Sequence, residues 1–207
     1  EQEFKDKIIS KYEGHIPCEM VFQALDALPE GFTCPADRTK PWGTNHAVMM
    51  GADVIKEPFA VINCDDFYGA DSYRVMGEFL ANLPEGAKNT YAMVGFRVGN
   101  TLSESGTVSR GLCTANDKNQ LTSVVERTKI QRMDGEVKFL DENEEWVATP
   151  DTTPASMNFW GFTPDYFEYS QEFFKCFLSD PKNMENLKSE FFIPLMVDKL
   201  INDGTAT

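Results

Sequence analysis

The chain has 207 residues, with 33 Asp and Glu against 19 Lys and Arg, so its formal net charge is −14 at pH 7. Nucleic-acid backbones are bound by basic patches, so this balance argues against a nucleic-acid partner. A few local bases and a metal ion still suffice to hold a small anionic substrate. The length suits one domain with a sizeable core, or two small domains.

The cysteines and the apolar runs bear on the compartment. The five cysteines are widely spread and form no C-x-x-C pair, so neither a disulfide framework nor a zinc cluster is predicted. Reduced thiols in a cytoplasmic protein fit this pattern. No apolar run approaches the ~18 residues that suggest a membrane span, and no signal peptide is evident. We therefore predict a cytoplasmic protein without a membrane partner.

The N-terminal part predicts a helix, a strand and a loop in that order. Residues 1–12 place apolar side chains among charges, which is the pattern of an amphipathic helix. Residues 16–23 (IPCEMVFQ) have the composition of a strand. Residues 25–40 are rich in Pro, Gly and Asp and predict a loop.

The stretch from residue 41 to residue 69 is the most informative. A Gly-Thr turn opens an apolar helical run, Pro58 interrupts it, and residues 59–64 follow as a short run that predicts a buried strand. That strand ends in Asp65 and Asp66. Acidic residues at the carboxyl end of a buried strand are how an open α/β sheet presents a ligand site.

The adjacent carboxylates have two interpretations. Asp is favoured in turns because its side chain bonds nearby backbone N–H groups, so Asp65 and Asp66 fit an ordinary turn. They also fit a metal site, because Mg²⁺ is usually held by one or two carboxylates together with substrate phosphates.

The middle of the chain changes character. A helix at residues 72–83 and a buried strand at 91–98 continue a helix–strand alternation, which favours βαβ units and a parallel sheet. Residues 99–125 instead carry an Asn-Asp-Lys-Asn turn between apolar runs, which predicts an antiparallel hairpin.

The C-terminal half predicts an excursion, a strand and two helices. Residues 130–154 are acidic and turn-rich and predict a hairpin or a long excursion, in which Trp146 is either a packing anchor or a stacking face for a sugar ring. Residues 156–162 predict a buried strand, and residues 164–178 and 184–202 predict helices.

Two segments resemble the sugar nucleotidyltransferases, which are nucleoside-diphosphate-sugar pyrophosphorylases. PWGTNHA at 41–47 is similar to their P-x-G-T-A-x-A segment, and VINCD at 61–65 is similar to their strand ending in Asp. The resemblance implies that Gly43 and Thr44 meet the nucleobase and that Asp65 binds the catalytic Mg²⁺.

A second pair of segments resembles the sugar side of the same family. RGLC at 110–113 is similar to Y-G-V-V, and Glu126-Arg127 is similar to E-K. The resemblance implies that Gly111 lets the sugar approach the backbone, Glu126 bonds sugar hydroxyls, Arg127 holds phosphate and Asn158 contacts the sugar. Without the resemblance, Glu126 and Arg127 would be an ordinary solvated pair.

Gln23 is a further candidate for the nucleotide. It is the last residue of the predicted strand at 16–23. The resemblance implies that its side chain contacts a base edge there. An amide offers both a donor and an acceptor for such a contact. A surface glutamine with no ligand is the alternative.

The resemblance also implies a fold and a domain. It implies an α/β domain with a Rossmann-like, mixed but mostly parallel sheet flanked by helices, the nucleotide-diphospho-sugar transferase fold, with an antiparallel excursion on the sugar side. We expect residues 1–207 to be one nucleotidyltransferase-like domain, truncated at both ends. The family's N-terminal Gly-rich phosphate loop has no counterpart here, so we expect the chain to be an internal fragment that is inactive by itself.

The implied reaction joins an NTP and a sugar 1-phosphate into an NDP-sugar and pyrophosphate, with Mg²⁺ as cofactor and Asp65 and Arg127 as catalytic residues. Mannose with GTP and glucose with UTP or dTTP are all compatible with the sequence, and homo-oligomer formation is left open. Two alternatives stay open: a nucleotide-sugar-dependent glycosyltransferase, and a non-catalytic domain that binds nucleotide sugars.

Overall fold

A seven-stranded sheet forms the centre of the computed structural model, which describes residues 6–7 and 9–207. All of its strand pairs are antiparallel. The strands are β1 (Phe59–Val61), β2 (Ala92–Arg97), β3 (Val108–Ala115), β4 (Leu121–Met133), β5 (Glu136–Leu140), β6 (Trp146–Thr149) and β7 (Pro154–Phe162).

Strand β7 is the central strand. One of its edges pairs with β2, and its other edge pairs with β1 near the C-terminal end and with β3 near the N-terminal end. From β3 the sheet continues through β4, β5 and β6. The turn between β3 and β4 confirms the predicted hairpin, and β5 with β6 forms the predicted excursion.

The prediction of a Rossmann-like, mostly parallel sheet is wrong. Strands β1 and β2, which a helix connects, point in the same direction, because both run antiparallel to β7. They do not pair with each other, because β7 lies between them: Trp160 pairs with Val61 on one side and with Met93 on the other. The helix–strand alternation therefore located these elements but not their partner. The prediction that both strands are buried is wrong, because every residue of β1 and β2 is at least partly exposed, and β1 ends at Val61.

Five α-helices accompany the sheet in the described part of the chain. They are α1 (Thr44–Met49), α2 (Ala70–Ala81), α3 (Tyr166–Ser179), α4 (Pro181–Glu185) and α5 (Ile193–Asn202). The helix predicted at 184–202 is therefore divided, because a loop separates α4 from α5. Among the described residues, no helix is both long and apolar enough to span a membrane.

The N-terminal predictions fare differently. Half of the helix predicted at 1–12 falls on residues 1–5 and 8, which lie outside the described residues. Among the described residues, Asp6 and Lys7 are helical and Ile9–Lys11 forms one 3₁₀ turn. The strand predicted at 16–23 is wrong, because the described structure has no strand in that segment. Its apolar side chains stay largely exposed, as Ile16 and Phe22 show.

The two faces of the sheet are covered by different helices. Successive side chains of a strand point to opposite faces, and β7 places Trp160 and Phe162 in the core formed with α1, α3 and α5. Phe159 instead packs with Met76 of α2 and with Tyr68. Each of these large side chains stabilises the fold by about 1.5–3 kcal/mol when it is fully buried.

A close backbone contact ties the segment before α1 to the segment before α5. Phe191 N–H donates to the Trp42 carbonyl at 2.7 Å, and Asn45 N–H donates to the Phe191 carbonyl at 3.0 Å. Gly43 lies between these bonds with φ 104°, and a Cβ there would lie 2.6 Å from the Phe191 oxygen. Only glycine fits this position, because both the conformation and the space exclude a side chain.

We expect Gly43→Ala to lower the free energy of unfolding by about 3 kcal/mol or more, because a clash with backbone is added to left-handed strain. Gly31→Ala is the matched control: Gly31 also has a positive φ, 91°, but a Cβ there would meet nothing within 4 Å. The control should cost only about 1–2 kcal/mol. Urea unfolding measures both, and equal losses would contradict the close contact at Gly43.

Candidate functional site

A small polar cleft of about 70 Å³ lies where β3, β4 and β7 meet the first turn of α5. The loop after β1 closes one of its sides. The lining residues are Asn63, Asp66, Ser109, Arg110, Gly111, Glu126, Ser156, Met157, Asn158 and Pro194. The cleft thus collects carboxylates, amides, hydroxyls and one guanidinium from parts of the chain that are far apart in sequence.

Gly111 and Glu126 form the floor of the cleft on β3 and β4. They are directly opposite each other in the antiparallel ladder. A Cβ on Gly111 would lie 2.8 Å from Val124 Cγ1 and 3.6 Å from Glu126 Oε2. The missing side chain therefore leaves room for Val124, whereas the distance to Glu126 is an ordinary contact.

The environment of the Glu126 carboxylate disfavours its charge. Burial raises the pKa of Glu126, and the nearby Arg110 cation acts in the opposite direction. Glu126 is nevertheless an exposed residue by its accessible surface, so solvent screens both effects strongly. A carboxylate whose pKa is raised in a cleft is a candidate for function.

Asn158 is displayed on a β-bulge in β7. Met93 pairs with Trp160 and Gly95 pairs with Ser156, so three residues of β7 lie opposite one residue of β2. Asn158 has φ 61°, in the left-handed region, which Asn tolerates better than most residues. Bulges re-aim side chains next to active sites, and strain of this kind often marks a binding site.

Tyr68 connects the loop after β1 to this bulge. Its hydroxyl donates to the Met157 carbonyl at 2.8 Å and accepts from Asn63 N–H at 2.9 Å. The Asn63 amide then donates to Asp66 Oδ2 at 2.8 Å. Burial raises the pKa of Tyr68 to about 12, so the hydroxyl stays a neutral donor at physiological pH.

The adjacent carboxylates of this loop are placed differently. Asp66 is half-buried and lines the cleft, where Asn63 holds its carboxylate. Asp65 is exposed and is not part of the cleft wall. The structure therefore brings Asp66 together with Gly111, Glu126 and Asn158 in the cleft. Asp65, the predicted metal ligand, lies outside it.

The two arginines of the hairpin also differ. Arg110 lines the cleft and donates to the Thr101 carbonyl at 3.0 Å, while its buried Nε finds no acceptor among the described residues. Arg127 lies over the Phe139 ring at 4.6 Å and forms an ion pair with Glu142. Arg127 follows Glu126 on β4 and pairs directly with Arg110 on β3, so strand alternation puts both arginine side chains on the face opposite Glu126.

The predicted nucleotide-binding residues form a cluster beside the cleft. Gln23 Nε2 donates to the Gly43 carbonyl at 3.0 Å. Thr44 Oγ1 accepts from Ile193 N–H at 3.3 Å, at the start of α5. The next residue along, Pro194, belongs to the cleft wall, so the cluster and the cleft share the first turn of α5.

Some of the residues that line the cleft are not predicted from the sequence. Asn63, Arg110 and Ser156 were not proposed as site residues, and Asp66 was named only as one of an adjacent pair. Ser156 could have been found, because it lies two residues before Asn158 on one strand and period two puts such residues on one face. Asn63 lies within VINCD at 61–65, the segment that carries the resemblance, but strand period does not place its side chain, because it lies in the loop after β1.

The cleft offers oxygen ligands of the kind that Mg²⁺ prefers. The carboxylates of Asp66 and Glu126 and the amide oxygens of Asn63 and Asn158 are hard donors. The described residues contain no group of three or more His, Cys, Asp or Glu side chains able to hold a metal ion. The donor set thus fits a cation that also takes ligands from a substrate, which is the usual arrangement for Mg²⁺.

A larger cavity of about 550 Å³ lies toward the other end of α5. Its wall is mainly apolar and includes Met93, Cys113, Trp160 and Val197. It is chemically unsuited to phosphates, whereas the small polar cleft is suited to them.

The chain matches no protein-family model and no curated protein.

We expect Tyr68→Phe to lower the free energy of unfolding by about 1–3 kcal/mol, because Asn63 N–H and the Met157 carbonyl each lose a partner in a buried setting. Tyr12→Phe, at a residue that is 50% exposed, is the control and should change stability little. Urea unfolding at pH 7 measures both variants.

The pH dependence of the free energy of unfolding above pH 10 gives a second test of the Tyr68 hydroxyl. Between the ordinary tyrosine pKa of 10 and the folded value of about 12, the unfolded chain loses a proton that folded Tyr68 keeps. Stability should therefore fall as pH rises through this range. Tyr68→Phe should make the fall shallower, and an unchanged slope would contradict the buried hydroxyl.

Proposed function

We propose that the protein carrying this chain transfers a nucleotidyl group from an NTP to a sugar 1-phosphate, releasing an NDP-sugar and pyrophosphate. The observation that carries the proposal is the common cleft of Gly111, Glu126 and Asn158. These three residues match sugar-side motifs and are distant in sequence. The base-side residues Gly43 and Thr44 adjoin the same cleft through the first turn of α5.

The cleft has the chemistry that a sugar requires. The carboxylate of Glu126 accepts hydrogen bonds from hydroxyl groups, and the Asn158 amide both donates and accepts. Gly111 lines the same cleft directly opposite Glu126 and adds no side chain to its wall. The Ser156 hydroxyl adds one more donor and acceptor on the same face.

The phosphates need positive charge. Arg110 is a lining residue of the cleft, and its cation is near enough to lower the pKa of Glu126; a planar fork of N–H donors matches phosphate oxygens. The N-terminal end of α5 adds the positive end of a helix dipole. Mg²⁺, when bound, supplies charge neutralisation between the phosphates, and Asp66 in the cleft and the predicted ligand Asp65 are the carboxylates beside it.

The reaction requires little covalent work from side chains. A phosphate oxygen of the sugar 1-phosphate attacks the α-phosphorus of the NTP, a new O–P bond forms, and the bond to the β-phosphate oxygen breaks to release pyrophosphate. The rate then comes from positioning and from charge stabilisation. The role of the cleft is to hold the attacking phosphate in line with the nucleotide seated at Gly43 and Thr44.

The proposal is tested by an activity screen of the full-length protein. Each of the four NTPs is combined with each of several sugar 1-phosphates. We expect Mg²⁺-dependent pyrophosphate release with at least one pair. Consumption of an NDP-sugar without pyrophosphate release would indicate a glycosyltransferase instead. Binding of an NDP-sugar with no turnover of any pair would indicate a non-catalytic binding domain.

The adjacent carboxylates give the first site prediction. We expect Asp66→Asn to lower turnover by about 100-fold or more, because it removes charge from the cleft. Asp65→Asn is expected to abolish Mg²⁺-dependent turnover if the resemblance holds, and to leave the free energy of unfolding unchanged because Asp65 is exposed. Turnover at saturating and limiting Mg²⁺ measures both variants, and retained activity in either removes that residue from the metal role.

The two arginines give the second site prediction. We expect Arg110→Gln to raise the KM for sugar 1-phosphate by about tenfold or more, because one charge-assisted hydrogen bond to phosphate is lost. Arg127→Gln is the matched comparison, and its effect should be smaller because Arg127 is occupied by Glu142 and Phe139. A larger effect from Arg127→Gln would restore the phosphate role that the sequence predicts for it.

A further inference from the structure

The larger cavity has a wall of uncharged side chains. Its volume of about 550 Å³ lies within the range of pockets that hold small organic ligands. None of the described side chains that line it belongs to a Lys, Arg, Asp, Glu or His residue. Burial raises the pKa of the Cys113 thiol to about 12, so this side chain is also neutral at pH 7. The polar cleft, in contrast, contains carboxylates and a guanidinium.

Three strands of the sheet contribute to the floor of this cavity. Strand β2 supplies Met93 and Gly95, and β3 supplies Cys113 and Ala115. Residues two apart on a strand face the same side of the sheet, so each pair forms one surface. Gly95 and Ala115 have little or no side chain, which leaves space above them. Trp160 of β7 also lines the cavity and is only 1% exposed, so the cavity extends down to the hydrophobic core.

Helix α5 forms one side wall, and a hydrogen bond fixes its position over the sheet. Val124 N–H on β4 donates to Asp198 Oδ1 at 3.1 Å. Val197 and Ile201 of the same helix line the cavity. Residues four apart lie on one face of a helix, so α5 presents an apolar surface to the cavity. Asp198 meanwhile anchors the helix over β4.

The segment at residues 206–207 forms another side wall, and it is held by backbone hydrogen bonds. Thr207 N–H donates to the Asn89 carbonyl at 3.0 Å, and Tyr91 N–H donates to the Thr207 carbonyl at 2.9 Å. Ala206, Thr207 and Tyr91 all line the cavity. Both side walls are thus tied to the rest of the fold, so the cavity is formed before a ligand arrives. Ligand sites are usually pre-formed in this way.

Aromatic rings and neutral polar groups complete the wall. Phe79, Tyr91 and Trp160 offer ring faces and edges to a ligand, and aromatic pairs gain energy beyond the area that they bury. Asn119 and Gln120, which are exposed in the turn between β3 and β4, add two amides. An amide both donates and accepts hydrogen bonds, so it pairs with a hydroxyl group without needing a charge.

We propose that this cavity is a second ligand site, which binds a small uncharged aromatic compound that carries a hydroxyl group. The apolar wall favours such a compound, because burial removes its ring from water and pre-formed apolar cavities take up aromatic molecules. A charged ligand is disfavoured, because its charge would be buried without a partner. The inference is independent of the proposed function, because it uses no residue of the polar cleft.

The ligand class is tested with 1-naphthol and 1-naphthoate, which share a fused ring pair and differ in charge at pH 7. Calorimetry measures the binding of each probe to the full-length protein. We expect 1-naphthol to bind about tenfold or more tightly than 1-naphthoate, because the wall offers no cation to the carboxylate. Equal affinities, or no binding of 1-naphthol, would overturn the inference.

The place of binding is tested with methionines that carry ¹³C-labelled methyl groups. The chain has nine methionines, and Met93→Leu and Met133→Leu assign two of their signals. We expect 1-naphthol to shift the signal of Met93, which lines the cavity, and to leave that of Met133 on β4 in place. An unchanged Met93 signal in the presence of bound 1-naphthol would put the ligand elsewhere and refute the site.

Ala115→Phe fills the cavity with a ring of the protein's own. We expect it to weaken 1-naphthol binding by about tenfold or more, because the new side chain occupies the space that the ligand needs. Ala148→Phe, at an exposed residue of β6, is the matched control and should leave binding unchanged. Equal binding by both variants would contradict the site. If Ala115→Phe does not fold, the two probes and the Met93 signal decide the inference, and nucleotidyl transfer is judged separately by pyrophosphate release.

Discussion

The contact between the Gly43 backbone and Phe191 is the constraint on which the candidate site depends. It joins the start of α1 to the segment before α5, and no side chain fits between them. Because the two segments are locked together, Thr44 caps the first N–H of α5, and Pro194 becomes a wall of the cleft. The same glycine presents its carbonyl to Gln23. One close approach thus places both the cluster of Gln23, Gly43 and Thr44 and the cleft beside it.

A buried arginine reinforces this contact. Arg38 lies over the Trp42 ring at 3.4 Å and donates to the carbonyls of Pro41 and Ser189, so it bridges the same two segments. A desolvated cation–π contact is worth about 2 kcal/mol, and the hydrogen bonds offset the cost of burying the charge. Burial lowers the pKa of Arg38, although the nearby Glu190 opposes that effect. The surrounding contacts therefore over-determine the unusual conformation at Gly43, which is the condition under which such strain persists.

The sequence predicts local elements here better than it predicts their partners. The helix α2, the β3–β4 hairpin and the strand β7 follow from periodicity and turn residues close to each element. Whether β1 and β2 pair depends on β7, which comes much later in the chain, and no local pattern carries that information. The segment 16–23 shows the converse case: its composition favours a strand, but a strand needs a neighbouring ladder to satisfy its backbone. The described structure supplies none there.

The same limit explains which site residues the sequence could place. Strand alternation alone separates Glu126 from Arg127, since neighbours on a strand face opposite sides of a sheet. Arg110 pairs directly with Arg127 in the β3–β4 ladder, so alternation puts both arginines on one face and does not distinguish them. For Asp65 and Asp66 no period applies, because both follow the end of β1, and the orientation is set by Tyr68 and Asn63. The sequence motif therefore identifies the loop that carries the carboxylates. Hydrogen bonds within that loop determine which carboxylate lines the cleft.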